Sequence, residues 1–289
     1  MNSLLIIAAL QLAPPVIDPI LIPPREEDQT ERQSPAMASA ARLLSCMRLA
    51  ASDPAAAIAE GARWAVTDGG IEAELCLGVG YENSSDWEAA ERAYMRAHGL
   101  ADVADDTRAT GILANAGRMA LRRGDPSAAR DRFGIVLADP GLSDTVRGNV
   151  LIERTQAHVA LEDGDAAQAD LIAAQALLPN DSSVWLLSAT LARRQGDLDA
   201  AGDFIDRALE LDQSDPANLL EAGNIAIGLN AYDIAQQAWT RAAAADPDGP
   251  SGQAATRNLE RLAALVAEGS TVPVELPETE AAEPADPSG

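Results

Sequence analysis

Lysine is absent from the chain, histidine and cysteine occur twice each, and aromatic residues fill only 3% of its 289 positions. Each scarcity excludes something. Neither His98 nor His158 lies at a spacing that pairs it with a nucleophile or completes a metal site. The 21 basic residues, all Arg, face 45 acids for a net charge of −24. That balance argues against nucleic acid as a partner, because phosphate contacts supply most of the affinity of such proteins, and against anionic membranes. The lack of lysine reads as the base composition of a high-GC genome and carries no function. The apolar run from Leu4 to Leu10 or Leu12 is too short to span a bilayer as a relaxed helix. With so few aromatics, the 47% hydrophobic content suits closely approaching helices whose interfaces are made of Ala and Leu.

What the chain has is repetition. Residues 182–216 carry two apolar helical stripes, Trp185, Leu186, Ala189 and Ala192, then Ala201, Ile205, Ala208 and Leu211. Gln195-Gly196-Asp197 separates them: Gly196 ends one helix in a left-handed conformation, and Asp197 caps the free amides of the next. Neither helix buries its stripe alone, so copies must stack. Aligning on the residue that opens the second helix gives Asp53, Asp86, Asp125, Asp165, Asp197 and Ala231, at spacings of 33, 39, 40, 32 and 34 residues.

Those units resemble tetratricopeptide repeats, whose period is about 34 residues. One unit carries Leu77-Gly78, Tyr81, Ala90, Tyr94 and Ala97; another Gly117, Ala120, Ala129 and Phe133; another Gly223, Ala235, Trp239, Ala242 and Pro247. The unit near Val150 has Gln156 where Leu is usual, and the first has Gly61 where an aromatic is usual. The resemblance implies an all-α, right-handed α-solenoid of about six helix pairs. A capping helix follows over residues 251–267, with Ala255, Leu259, Leu262 and Val266 on its inner face and Arg257, Glu260 and Arg261 outside. Asp53-Pro54 and Asp125-Pro126 are the sharpest helix starts. The two long spacings place additional residues at 101–106 and 139–145.

Four regions follow. Residues 1–13 read as a signal peptide cleaved after Ala13, although the n-region has no basic residue and Pro14 adjoins the cut. Residues 14–36, with six prolines and a charged run, read as an extended linker. Val16, Ile17, Ile20, Leu21 and Ile22 within it either dock on the first repeat or a partner, or are part of a loose tether. The array fills residues 37–267, and the acidic, proline-rich residues 268–289 read as a disordered tail. The Lys-free, Ala- and Arg-rich composition with a short hydrophobic start resembles exported tetratricopeptide proteins of high-GC alphaproteobacteria, hence an expected periplasmic location, the alternatives being inner-membrane anchored or cytoplasmic.

No catalytic motif stands out. Gly78-Val79-Gly80 lacks the strand and third glycine of a nucleotide site, Asp163-Gly164-Asp165 falls on an inter-helix turn and lacks the later ligands of a calcium loop, and the sequons at Asn83 and Asn180 occur by chance. The chain is read as a non-enzyme without cofactor or metal. In the family, the positions of Cys46 and Cys76 lie together on adjacent first helices, within disulfide reach; oxidation there and export support each other, while reduced buried thiols are the other reading.

The resemblance also implies a protein or peptide partner held in the concave groove lined by first helices. The candidate binding residues are Arg118, Arg122, Arg154, His158, Leu186, Thr190, Arg193 and Arg194, a positive stripe on an acidic protein. It suits an acidic or C-terminal segment paired by guanidinium forks. The alternative is that these arginines pair with their own helix neighbours, Arg154 with Glu153 or Glu162 for instance. The family's chaperone-tail clamp is missing, since Leu187, Ala217 and Glu221 stand where it needs Asn and basic residues. A membrane-anchored assembly factor and a non-catalytic subunit of an enzyme complex are the other functional readings.

Overall fold

A computed structural model describes residues 35–267, and all thirteen elements among them are α-helices. The signal-peptide and tail expectations, and nearly all of the linker, lie outside the described residues. Six pairs follow one another: α1 (Pro35–Ser52) with α2 (Pro54–Ala65), α3 (Gly70–Asn83) with α4 (Trp87–Val103), α5 (Ala109–Arg122) with α6 (Pro126–Leu137), α7 (Asp144–Ala160) with α8 (Gly164–Leu177), α9 (Ser182–Arg194) with α10 (Leu198–Leu211), and α11 (Pro216–Gly228) with α12 (Tyr232–Ala245). A last helix, α13 (Pro250–Ala267), closes the series.

The turn inside each pair is built the same way. Asp53, Asp86, Asp125, Asp163 and Asp197 each accept a hydrogen bond from the amide three residues on, which satisfies one of the helix's free donors. Ala231 opens α12 without a side-chain cap. From the second pair on, the residue before the cap is left-handed: Ser85, Gly124, Glu162, Gly196 and Asn230 have φ between 58° and 84°. The fourth cap corrects the alignment, because it is Asp163 and not Asp165. The spacings become 33, 39, 38, 34 and 34 residues. The two insertions lengthen α4, and the loop together with α7.

Within pairs, a small residue on the first helix receives a large one from the second. A Cβ on Gly78 would lie 2.7 Å from Tyr94, one on Gly117 2.7 Å from Phe133, and one on Gly223 2.4 Å from Trp239. Thr155 with Leu171 and Ala189 with Ile205 hold the same register, all buried. In the first pair both residues are small, Ser45 and Gly61. A cleft of about 440 Å³ opens there between α1 and α2, floored by Ser45, Ala56 and Ala59. Gly61 accepts Leu77 of α3 instead, a Cβ on it falling 2.9 Å from Leu77 Cγ, and α1 leans more on α3 than on α2. A disulfide joins Cys46 to Cys76 across that contact, with Cα atoms 5.8 Å apart.

At the other end α13 places Ala255, Leu259 and Leu262 against Trp239 and Ala242 and leaves Arg257, Glu260 and Arg261 exposed. Val266, expected inside, is 72% exposed, because the last turn overhangs the pair it caps. Among the described residues no helix is long and apolar enough to cross a membrane, and no group of His, Cys, Asp and Glu is arranged to hold a metal ion.

Two outcomes follow for unfolding experiments. Gly223→Ala drives a methyl into the Trp239 ring and should cost roughly 1–3 kcal/mol, whereas Gly202→Ala, with nothing within 4 Å of its Cβ, should be neutral or stabilising by about 0.5–1 kcal/mol. Reducing the disulfide, whose ends are 30 residues apart, should remove roughly 3–4 kcal/mol from the first unit in the loop-entropy account, read as faster amide exchange confined to α1 to α3.

Candidate functional site

Where neighbouring first helices meet, two of the junctions share one register. One partner lies seven residues before its pair's cap, the other ten residues before the next cap. Cys46 and Cys76 occupy these positions, and so do Arg118 and Glu153, joined at 2.8 Å from Nη1 to Oε1. Asn224 holds the first position again and accepts from Asn258 of α13 at 3.1 Å. Glu221, ten before its cap, is gripped from three residues further along α9 by Arg193, which donates from Nε at 2.7 Å and Nη2 at 3.3 Å. Near the first units Arg108 donates to Glu72 at 2.8 Å and to Asp106 at 2.6 Å.

In α3 and α9 the residues four, seven and eleven before the cap form a wall beside this seam, whereas Cys46, Ala114, Asn224 and Ile227 at the same positions of other units are buried. Leu75, Val79 and Glu82, Leu186, Thr190 and Arg193 are half-buried there. Of the predicted residues, Arg118, Leu186, Thr190 and Arg193 therefore lie on the wall. Arg122 is exposed at the end of α5 and stacks on Trp87, its guanidinium carbon 5.0 Å from the ring centroid. Arg194 is exposed on the last turn of α9.

Arg154 and His158 do not share that register. With the cap at Asp163 they fall nine and five residues before it. Arg154 instead makes a bidentate pair with Asp170 of α8, at 2.7 and 2.6 Å, and the buried His158 ring lies 3.7 Å from the same carboxylate. A carboxylate as enclosed as Asp170, whose side chain is 7% exposed, has to be neutralised locally. The wall positions of this unit are Ile152, Gln156 and Val159, with Gln156 exposed. Sequence reading missed them through a two-residue slip. The 34-residue spacing from Asp163 to Asp197, equal to that from Asp197 to Ala231, was the signal that could have found them.

The positive stripe is thus largely self-compensated. Glu91, 6% exposed, is bracketed by Arg123 and by Arg132 at 2.5 Å. Glu153 titrates above the ordinary carboxylate range because burial outweighs the nearby Arg118. Tyr94 is pushed strongly upward, first by burial and then by its 2.6 Å hydrogen bond to Glu82. Asp106 is held down at about 2 by the Arg108 guanidinium and backbone amide.

With this geometry the array aligns on known structures. PilW, a type IV pilus biogenesis factor, superposes with a TM-score of 0.62 at 18% identity, over 75% of this chain and 97% of that one. PilF of Pseudomonas aeruginosa gives 0.56 at 16%, over 76% and 99%. A tetratricopeptide repeat protein from Parabacteroides merdae gives 0.56 at 15%, over 69% and 75%. The fold is a tetratricopeptide solenoid. At these identities the likeness is one of fold. No protein-family profile and no curated protein sequence matches the chain.

Two measurements test the electrostatics. Arg193→Ala leaves the Glu221 carboxylate, whose side chain is 8% exposed, with the Asn224 amide but no cation, and should cost about 3 kcal/mol in chemical denaturation, with Glu221→Gln restoring part of it. Arg118→Ala, at a side chain 42% exposed, should cost less. Because the Asp106 pKa is depressed on folding, its stabilisation is present above the ordinary carboxylate range and is lost as pH falls through about 2. The difference in melting midpoint between the native chain and Asp106→Asn should therefore shrink on acidification from pH ~5 to pH ~2.

Proposed function

We propose that the chain is a protein-binding scaffold whose first-helix wall takes a segment of a partner protein. The observation that supports this most directly is the wall's composition: half-buried Leu75, Val79, Ile152, Val159 and Leu186 line it between polar positions. An apolar strip with a polar border fits the apolar face of a partner helix or an extended peptide. The seam pairs hold this strip rigid, so little ordering accompanies binding.

The partner is an amphipathic segment more than an acidic one. An incoming carboxylate has to displace Glu153 or Glu221 from arginines they already satisfy, and exchange of one buried pair for another gains little. Arg122 remains the wall-edge cation that an acidic group reaches without breaking a carboxylate pair, at the expense of its stacking on Trp87.

The buried Cys46 to Cys76 bond favours work in an oxidising compartment, and a periplasmic location fits that chemistry. The type IV pilus role of PilW belongs to that protein; for this chain an assembly-factor role is a narrower version of the same scaffold reading.

Site-specific photo-crosslinking tests the proposal in the native host. Probes at Gln156 and Leu186 should label one discrete partner, and Leu186→Asp should abolish labelling from Gln156. A probe at Ile172, 58% exposed on the second helix α8, should not label it. Equal labelling from all three probes would overturn the wall as the site. Intact-mass measurement of native material should show a chain starting at Pro14 and lighter by the two hydrogens of the disulfide; retention of residues 1–13 would instead favour a membrane-anchored form.

A further inference from the structure

The cleft between α1 and α2 has a local charge opposite to that of the chain. Its charged lining residues are two cations, Arg42 and Arg63, and one anion, Glu60, on a molecule of net charge −24. The two guanidiniums share the Glu60 carboxylate. Arg42 donates to Oε1 from Nε at 3.0 Å and from Nη2 at 2.7 Å, and Arg63 donates to Oε2 at 2.8 Å. Arg42 is held further by Trp64, its guanidinium carbon 4.5 Å from the ring centroid, whereas the Arg63 side chain is 67% exposed and is the more available of the two. At about 440 Å³ the cleft is of the size that holds small ligands, and its cations suit one that carries carboxylates.

The same cleft approaches the disulfide from one side. Cys46 is among its lining residues, whereas Cys76 has no exposed surface and is enclosed with Ala57, Trp64 and Ala73. Cys76 is also the sulfur better placed to exist as a thiol. Its Sγ lies 3.5 Å from the Ala57 carbonyl oxygen, nearer than Cys46 Sγ at 3.9 Å, and apolar surroundings favour the neutral S–H. Arg42, one turn before Cys46 on α1, makes Cys46 the better leaving group. Departure of Cys46, however, requires attack on Cys76, which a thiol from solvent does not reach in the folded chain.

We infer that the cleft is a thiolation site: a small thiol bearing carboxylates binds against Arg63 and Arg42 and exchanges onto Cys46. The sulfur of the thiolate bonds to Cys46 Sγ and the Cys46 to Cys76 bond breaks. Its electron pair goes to Cys76 Sγ, which takes up the proton that the incoming thiol gave up. One disulfide replaces another, so no separate oxidant or reductant is consumed. The product keeps Cys46 capped in the cleft while α1 loses its covalent tie to α3, which makes the first pair the modifiable part of the array whatever the wall binds.

Glutathione, an anionic thiol, is the probe. Added in excess to the full, oxidised chain under native conditions and quenched in acid, it should give a one-glutathione adduct over minutes to hours. Peptide mapping should place it on Cys46 and find Cys76 as a thiol. Arg63→Glu should slow the reaction about tenfold without slowing that of cysteamine, a cationic thiol, and Ala59→Leu, which narrows the cleft, should slow both. Oxidised glutathione should modify Cys46 in Cys76→Ser about tenfold or more faster than Cys76 in Cys46→Ser; both variants lack the bridge, so its loss does not produce the difference. An adduct on Cys76, equal rates for the two single-cysteine chains, or equal slowing of both thiols by Arg63→Glu would overturn the inference. So would an oxidised chain that glutathione leaves unmodified.

Discussion

Lateral contact between neighbouring units is the interaction on which the molecule depends, because a solenoid has no contacts between distant parts of its chain to fall back on. Two devices supply it here. Small residues on first helices, Gly78, Gly117 and Gly223, admit Tyr94, Phe133 and Trp239, so each pair closes on itself and presents a flat flank to the next. The seam between first helices then fixes how the flanks sit. One register is joined by a covalent bond in the first unit and by an ion pair further along. At these two junctions the geometry is the same while the chemistry that holds it is exchanged.

The charges follow the same logic. The surplus of acid over base suggests an acidic molecule with spare arginines to present to a ligand. Instead, much of the guanidinium is spent inside, on Glu91, Asp170 and Glu221, all no more than 8% exposed as side chains. Arginine suits this task, since its planar fork satisfies both oxygens of a carboxylate and its charge persists on burial. Pairing arginines with carboxylates in this way leaves the wall nearer neutrality, and that shifts recognition from charge toward apolar fit.

The helices, their order and most caps were legible because they are local: a capping Asp, a left-handed residue before it and an apolar period all sit within one turn of each other. The seam was legible only where the family pattern pointed to it, at Cys46 and Cys76. The ion pairs were not, since Arg118 meets Glu153 from 35 residues away and Arg193 meets Glu221 from 28, and nothing local chooses among so many carboxylates. The wall's fourth unit was misread for a related reason. Asp163 and Asp165 are equally good caps in isolation; the 34-residue spacing to Asp197 favours Asp163, and packing of α7 against α6 agrees, since Val150 and Ala157 then fall onto Phe133 and Val136. A shift of two residues turns a helix by about 200°, enough to exchange Ile152 and Gln156 for Arg154 and His158 on the open face.

A linear array loosens from its ends inward, because terminal units have one neighbour and interior units two. The two ends here are secured differently. The C-terminal end has α13, whose apolar side covers Trp239 and whose other side is polar. The N-terminal pair lacks the large residue that would close it, Ser45 and Gly61 being both small, and relies on Leu77 and the disulfide from the next unit. Holding α1 through α3 makes the first pair dependent on the second for its order, so reduction should loosen α1 before any other helix. The units between Thr110 and Ile227 have neighbours on both sides and carry the paired Arg118 and Arg193. Rigidity is therefore greatest where the apolar strip of Ile152, Val159 and Leu186 lies, which is where a scaffold that binds without rearranging needs it.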